Sequence, residues 1–334
     1  MSSDSTDASN APQQPFLRRL LSKIFSTPGV GPLIILIIAV AYFQSQNPRF
    51  IDLNTFSLIL QQNSWIAALA LGQTIIILTA GIDLSNGSVM AFGAVVMAGV
   101  AVNDGVTPII ALGVGFSVTM AFGLLHGLLV TRLKLPPFIV TLGTLNIAFA
   151  MTRIYTTSSI SGLPDIHLIF GERVEIFGTR FTYGSIFVVV LFILTWLMLR
   201  YTAFGRYIYA IGDDPEAARL TGIPVERVLI AVYMLAGFFY AFAAWMFLGR
   251  FSTGDPNAAQ TANLDSITAV VIGGVSLFGG RGSVIGPLIG ALTVGVISTG
   301  LQATGVNILY QRLITGILVI IAVAIDQYSQ RRGS

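Results

Sequence analysis

Few side chains in this sequence could carry covalent chemistry. A nucleotide-binding loop needs Gly-x-x-x-x-Gly-Lys followed by Ser or Thr. The two lysines, Lys23 before Ile24 and Lys134 before Leu135, complete no such loop. The absence of cysteine excludes disulfides, thiolate metal sites and cysteine nucleophiles, and two histidines, His126 and His167, are too few for a histidine metal cage. Neither paired carboxylates nor a Ser/His/Asp arrangement emerges, so an enzyme is a poor fit. Asp83, Asp104, Asp265 and Asp326 stand at the ends of apolar runs. That position disfavours a mid-membrane proton relay and leaves sodium coupling through carbonyl groups open.

What remains is backbone and polar chemistry at three places. Two are glycine-dense breaks: Gly81-Ile82-Asp83-Leu84-Ser85-Asn86-Gly87-Ser88-Val89, and Gly273-Gly274-Val275-Ser276-Leu277-Phe278-Gly279-Gly280-Arg281-Gly282-Ser283-Val284. Each joins two apolar runs, and they share a short Gly-x-x-Leu…Gly-Ser-Val repeat that hints at an old duplication. Broken backbone offers N–H and C=O groups to polar solutes or ions, as half-helices do; the competing reading is a tight turn capped by Asp83, Ser85 or Ser283. The third place is the polar segment 200–227. There Asp214 caps a helix starting at Pro215, and Gly222 with Pro224 stops it after about two turns. Ala217, Ala218 and Leu220 beside Glu216, Arg219 and Glu226 form a small knob suited to a groove on a partner subunit, or a connector lying on the membrane surface.

The elements that must position these groups are membrane helices. Of 334 residues, 54% are hydrophobic and 10% charged, against about 25% charged in soluble domains, and the mean hydropathy is +0.81. So few charges cannot coat a globule in water, whereas lipid accepts an apolar surface. The net charge of +3 and pI near 9.3 come from scattered arginines that form no basic stripe, which sets nucleic acid aside.

Because an unpaired charge in hydrocarbon is costly, the stretches free of Asp, Glu, Lys and Arg measure the spans. Ten such runs occur, at 24–48, 53–82, 84–103, 105–131, 135–152, 181–199, 228–249, 266–280, 282–311 and 313–325. Most reach the ~20 residues that cross a bilayer; run 266–280 is short and reads as a half-helix or tilted span. The expected fold is therefore an all-α polytopic membrane protein of about ten transmembrane helices, one short or broken. Placing both termini in the cytoplasm puts twelve of the 18 Lys and Arg on that side. Residues 1–23 are expected to be a disordered cytoplasmic tail, 24–327 one membrane domain, and 328–334 a cytoplasmic tail. Arg18, Arg19 and Lys23 before an apolar run imitate a signal peptide with Ala39-Val40-Ala41 as its cleavage pattern, but that run is one of many alike. Segment 153–182 is expected outside, either docking a delivery protein or forming an ordinary solvated loop.

Four stretches, in order, carry a resemblance. Gly81-Ile82-Asp83-Leu84-Ser85, Pro136-Pro137-Phe138-Ile139-Val140-Thr141-Leu142-Gly143-Thr144, Gly205-Arg206-Tyr207-Ile208-Tyr209-Ala210-Ile211-Gly212 continuing into Glu216-Ala217-Ala218-Arg219-Leu220-Thr221-Gly222-Ile223, and Val271-Ile272-Gly273-Gly274-Val275-Ser276-Leu277-Phe278-Gly279-Gly280 are similar to the ribose-type simple-sugar ABC transporter permeases. The likeness covers about residues 30–327. It departs from the family pattern at Asp213-Asp214, Asn86, His126 and Asn263.

The resemblance implies a type II ABC importer permease-like fold and a subunit importing a monosaccharide of the ribose, xylose, galactose or fructose kind. Its partners would be two ATP-binding cassette subunits, a second permease copy, an extracytoplasmic sugar-binding protein and the bacterial cytoplasmic (inner) membrane. ATP and magnesium would bind in the partner subunit and no cofactor in this chain. Glu216, Ala217, Ala218, Arg219 and Gly222 would form the coupling segment. A sugar needs polar partners for its hydroxyls and apolar surface for its C–H faces; candidates along the pathway are Gln61, Asn63, Gln73, Asp83, Ser85, Asn86, Thr141, Asn146 and Tyr240. A self-contained secondary carrier or channel, and a membrane receptor or scaffold, are the competing classes.

Overall fold

The structure, a computed structural model, describes residues 29–331 apart from residue 177. The polar N-terminal stretch 1–23, the basic cluster within it and residues 332–334 lie outside the described residues. Thirteen helices occur among the described residues: α1 (Val30–Gln46), α2 (Leu53–Leu78), α3 (Asn86–Val102), α4 (Pro108–Thr131), α5 (Pro137–Tyr155), α6 (Asp165–Leu168), α7 (Tyr183–Tyr201), α8 (Ala203–Asp213), α9 (Pro215–Leu220), α10 (Val225–Phe251), α11 (Ala262–Ile272), α12 (Ile285–Ala303) and α13 (Ile308–Arg331). Ten of them fall on the ten uncharged runs. By length and composition α4, α5, α7, α10 and α12 suffice to cross a membrane, while α1, α3, α11 and the apolar part of α13 are shorter.

Helix α2 is the axis. From Asn63 to Leu78 every residue is buried, although Asn63, Ser64, Gln73 and Thr74 are polar. Helix α10 packs on it antiparallel, Trp65 meeting Phe247 and Gly72 meeting Tyr240, and α4 in turn runs antiparallel to α10, with Gly123 against Tyr233 and Gly237 against Thr119. Without water to squeeze out, such contacts are held by close van der Waals packing, which glycines permit by bringing backbones together. Helix α5 is peripheral: 28% of its span is buried, against 56% for α10.

One end of the bundle carries α8 and α9; we call it the platform end. At the other, segment 153–182 folds instead of forming an irregular loop. It holds α6, a 3₁₀ turn over Ile169–Gly171, and the antiparallel pair β1 (Arg173–Ile176) and β2 (Thr179–Thr182), registered Arg173 to Thr182 and Ile176 to Thr179. Gly178, at φ +74°, supplies the turn. This hairpin end is pinned to the bundle: Trp245 Nε1 donates to the Ile166 carbonyl (2.8 Å), Ser57 Oγ donates to the Arg180 carbonyl, and Ile160 pairs with Gly254. Phe170, Phe187, Phe242 and Trp245 cluster beneath it in tilted, edge-on and stacked pairs.

Candidate functional site

At the platform end the local code reads as expected. Asp214 Oδ1 accepts the N–H groups of Glu216 (2.9 Å) and Ala217 (3.0 Å), Pro215 opens α9, and Gly222 at φ +86° ends it. Ala218 is buried, whereas Leu220 is 90% exposed. Glu216 and Arg219 form an ion pair (2.8 Å) whose side chains are largely exposed. An exposed i,i+3 pair contributes little to stability, so both charges are free to engage another surface. Sequence reasoning missed α8, whose apolar residues Ile208 and Ile211 are buried while Arg206 is exposed; their helical spacing was the available signal.

Helix α8 is what joins the knob to the bundle. Tyr209 OH donates to the Gly282 carbonyl (3.0 Å) in the second glycine break, and burial pushes the phenol above its ordinary range, which keeps that donor protonated. Gly212 lies against the Leu78 carbonyl and the Gly280 N–H, which are themselves hydrogen-bonded (3.0 Å). Gly279, at φ +86°, packs on the Gly212 carbonyl and on Ala80. Helix α8, the end of α2 just before the first break, and the second break thus meet at one backbone junction, with no room for a methyl group at its centre.

The first break is a buried polar knot. Asp83 is read from the sequence as a run end, yet it is fully enclosed; the turn 79–85 folds back into the core, and partners offset the cost of burying the carboxyl group. Asp83 Oδ1 accepts from Ser85 N (2.7 Å) and Ser85 Oγ (2.6 Å), and Oδ2 accepts from Tyr240 OH (3.0 Å). His126 Nδ1 stands 3.8 Å from the same Oδ2, and its Nε2 lies 2.7 Å from Thr144 Oγ1. With its amide turned to satisfy both ends, Gln73 donates to the Asp83 carbonyl (3.0 Å) and accepts the Asp83 N–H (3.2 Å). Thr141 Oγ1 reaches the Ile82 carbonyl (3.1 Å), Asn86 Nδ2 donates to Ser266 Oγ (2.8 Å), and Asn263 Nδ2 donates to the Leu84 carbonyl (3.1 Å).

Six of the nine pathway candidates, Gln73, Asp83, Ser85, Asn86, Thr141 and Tyr240, therefore converge on one turn. His126, Thr144 and Ser266 complete the knot. Thr144 had a signal, lying one helical turn after Thr141; Ser266 had none, because its pairing with Asn86 spans 180 positions. Gln61 and Asn63 sit nearer the hairpin end of α2, the first beside Arg173 (3.5 Å) and the second bonded to the Ile59 carbonyl (2.8 Å). Asn146 is apart from all of them, on an exposed face of α5, with Nδ2 bonded to the Leu142 carbonyl (3.1 Å). Asp104 is exposed at the end of α3. Among the described residues no group of three or more His, Cys, Asp or Glu is placed to hold a metal ion. Chemically the knot can tie helices to a turn, and the junction can pass a displacement to that turn.

Comparison with known proteins agrees with this architecture. Residues 55–323 match the family model described as branched-chain amino acid transport system / permease component. The chain is 43% identical, over 99% of its length and 94% of the relative's, to the fructose import permease protein FrcC of Rhizobium meliloti. It is 38% identical to the ribose import permease protein RbsC of Bacillus subtilis, over 89% of this chain and 92% of that one. It is 34% identical to the galactose/methyl galactoside import permease protein MglC of Haemophilus influenzae, over 89% and 94%. No solved structure matches.

Proposed function

The chain belongs to the branched-chain amino acid transport system / permease component family, and from that premise we propose that it is the membrane-spanning subunit of an ATP-binding cassette importer for a monosaccharide. The observation that carries this reading is near full-length identity of 43% to a fructose import permease in a chain that presents an exposed, charged, capped knob on a polytopic bundle. The relatives named for ribose and galactose support a sugar as cargo.

In this reading two copies of the chain cross the bacterial cytoplasmic membrane, with the platform end and both termini in the cytoplasm. Two ATPase subunits bind ATP and magnesium and grip Glu216, Ala217, Ala218 and Arg219, with Gly222 setting the exit of the helix. An extracytoplasmic sugar-binding protein docks at the hairpin end. Closure of the ATPase pair draws the two knobs together. Helix α8 moves as a rigid body, because Tyr209 and Gly212 fasten it to the second glycine break and to the end of α2, and the junction carries the motion to the gates. Energy enters as force, since this chain has no phosphate loop.

The test is the double substitution Glu216→Ala with Arg219→Ala in the assembled transporter in vesicles. Sugar uptake should fall about tenfold or more, the consequence of ~1.4 kcal/mol or more of lost docking energy, while the ATPase subunits keep their basal hydrolysis. Unchanged uptake refutes the coupling role. Uptake by this chain alone, driven by an ion gradient, would establish the secondary-carrier class instead.

A further inference from the structure

A cavity of about 430 Å³ opens at the hairpin end, bordered by Trp65 of α2, by Asn257, Gln260 and Thr261 of the segment between α10 and α11, by Asp265 from the first turn of α11 and by Arg312 near the start of α13. None of these six is among the pathway candidates read from the sequence. We propose that this cavity is the reception site for a neutral polyhydroxylated solute on the outer face, a monosaccharide in the ring form. The proposal rests on the importer reading and adds to it the place where cargo first meets the permease.

Four observations support it. The volume lies within the roughly 300–1,000 Å³ of small-molecule pockets. Trp65 brings an indole whose edge-on neighbour Phe247 (5.4 Å) holds it in place, and an aromatic side chain on the wall gives the C–H faces of a sugar ring an apolar surface. The polar rim mixes two carboxamides, a hydroxyl, a carboxylate and a guanidinium. The Asp265 N–H donates to the Thr261 carbonyl (3.1 Å), which fixes these two rim residues relative to each other. One acidic and one basic side chain among three neutral polar ones suit a ligand with many hydroxyls and no net charge; a purely apolar solute would strand these groups. Finally, Ala259 lies on the cavity wall with φ +58°. A non-glycine residue in the left-handed region costs roughly 1–3 kcal/mol and clusters at ligand sites.

The chain has no cysteine, so a single introduced thiol reports one position. In the assembled transporter in vesicles, hairpin end outward and without binding protein, Gln260→Cys or, as a second position, Thr261→Cys is labelled with a membrane-impermeant maleimide. D-Fructose, D-ribose, D-galactose and L-leucine are titrated separately as protectants. One of the sugars should slow labelling along a single-site curve, about elevenfold at ten times its half-protecting concentration. L-Leucine should not, and Asp265→Asn combined with Arg312→Gln should abolish the protection. Absence of protection by a sugar that the same vesicles import with ATP once the binding protein is added overturns the cavity and leaves the importer reading standing. Protection with no ATP-driven uptake even after the binding protein is added keeps the cavity and overturns the importer reading. Protection by L-leucine overturns the ligand class, and neither protection nor uptake overturns both.

Discussion

Replacing Gly212 by alanine sets two physical effects against each other. Gly212 is the penultimate residue of helix α8, where exchanging glycine for alanine stabilises by up to roughly 0.5–1 kcal/mol, because the glycine backbone has more freedom to lose. A Cβ at this position, however, would collide with the Leu78 carbonyl oxygen and the Gly280 N–H, both backbone atoms that no rotamer change can move aside. It would part the hydrogen bond between them, worth about 0.5–1.5 kcal/mol, and add an overpacking cost of about 1–3 kcal/mol. The balance is a loss of roughly 0.5–4 kcal/mol where propensity alone predicts a gain. Gly143 of α5 is the control, since a Cβ there meets nothing within 4 Å; Gly143→Ala should match or slightly exceed the parent protein. The assay is the apparent thermal midpoint of the detergent-solubilised protein, followed by ATP-driven sugar uptake of the assembled transporter. Gly212→Ala should melt below the parent and lose uptake. If it melts at or above the parent with uptake intact, the junction is looser than described and is not a mechanical link.

Two further substitutions probe the core and the hairpin end. Tyr240→Phe removes the donor to Asp83 Oδ2 and should cost about 1–3 kcal/mol in the same melting assay, whereas Tyr233→Phe removes a buried hydroxyl with no partner among the described residues and should be neutral or stabilising; equal effects would contradict the hydrogen-bond assignment. Burial pulls His167 of α6 below the ordinary 6.5, so the unfolded chain binds its proton more readily. The stabilisation is then complete above pH 6.5 and erodes as pH falls below it toward the folded value. Proteolysis of the hairpin end should accelerate on acidification in the parent and not in His167→Gln, and identical pH profiles would refute the assignment.

The helical scaffold was legible because lipid penalises charge so heavily that uncharged intervals alone outline ten helices, the short α11 included. The coupling knob was legible because its determinants are local, with Asp214, Pro215 and Gly222 acting within one turn of where they stand. Contacts distant in sequence left no such trace. Asp83 reads as the end of a run, and only the folded chain shows Tyr240, 157 positions away, and His126 enclosing it. Helix α8 was hidden by its own amphipathicity, since Arg206, Asp213 and their neighbours make a polar segment whose buried stripe shows only at helical spacing. The hairpin escaped because strands of four residues are too short for an alternating pattern to stand out.

The turn after α2 has one end in each of the two features that matter. Leu78 and Ala80 belong to the junction with α8, and Asp83, three positions further on, belongs to the knot that grips α4, α5 and α10. So short a tether, held by hydrogen bonds at Thr79, Gly81 and Ser85, has little slack to absorb a displacement. In the proposed mechanism a push on α9 therefore reaches Tyr240 and the α2–α10 contact as a shift of packed backbone. On the far side of that contact Trp65 packs against Phe247 and borders the outer cavity. The same two helices thus face the lever at one end and the proposed reception site at the other. An importer driven from outside itself needs that continuity, because a conduit without its own fuel site moves only as far as its rigid parts transmit force.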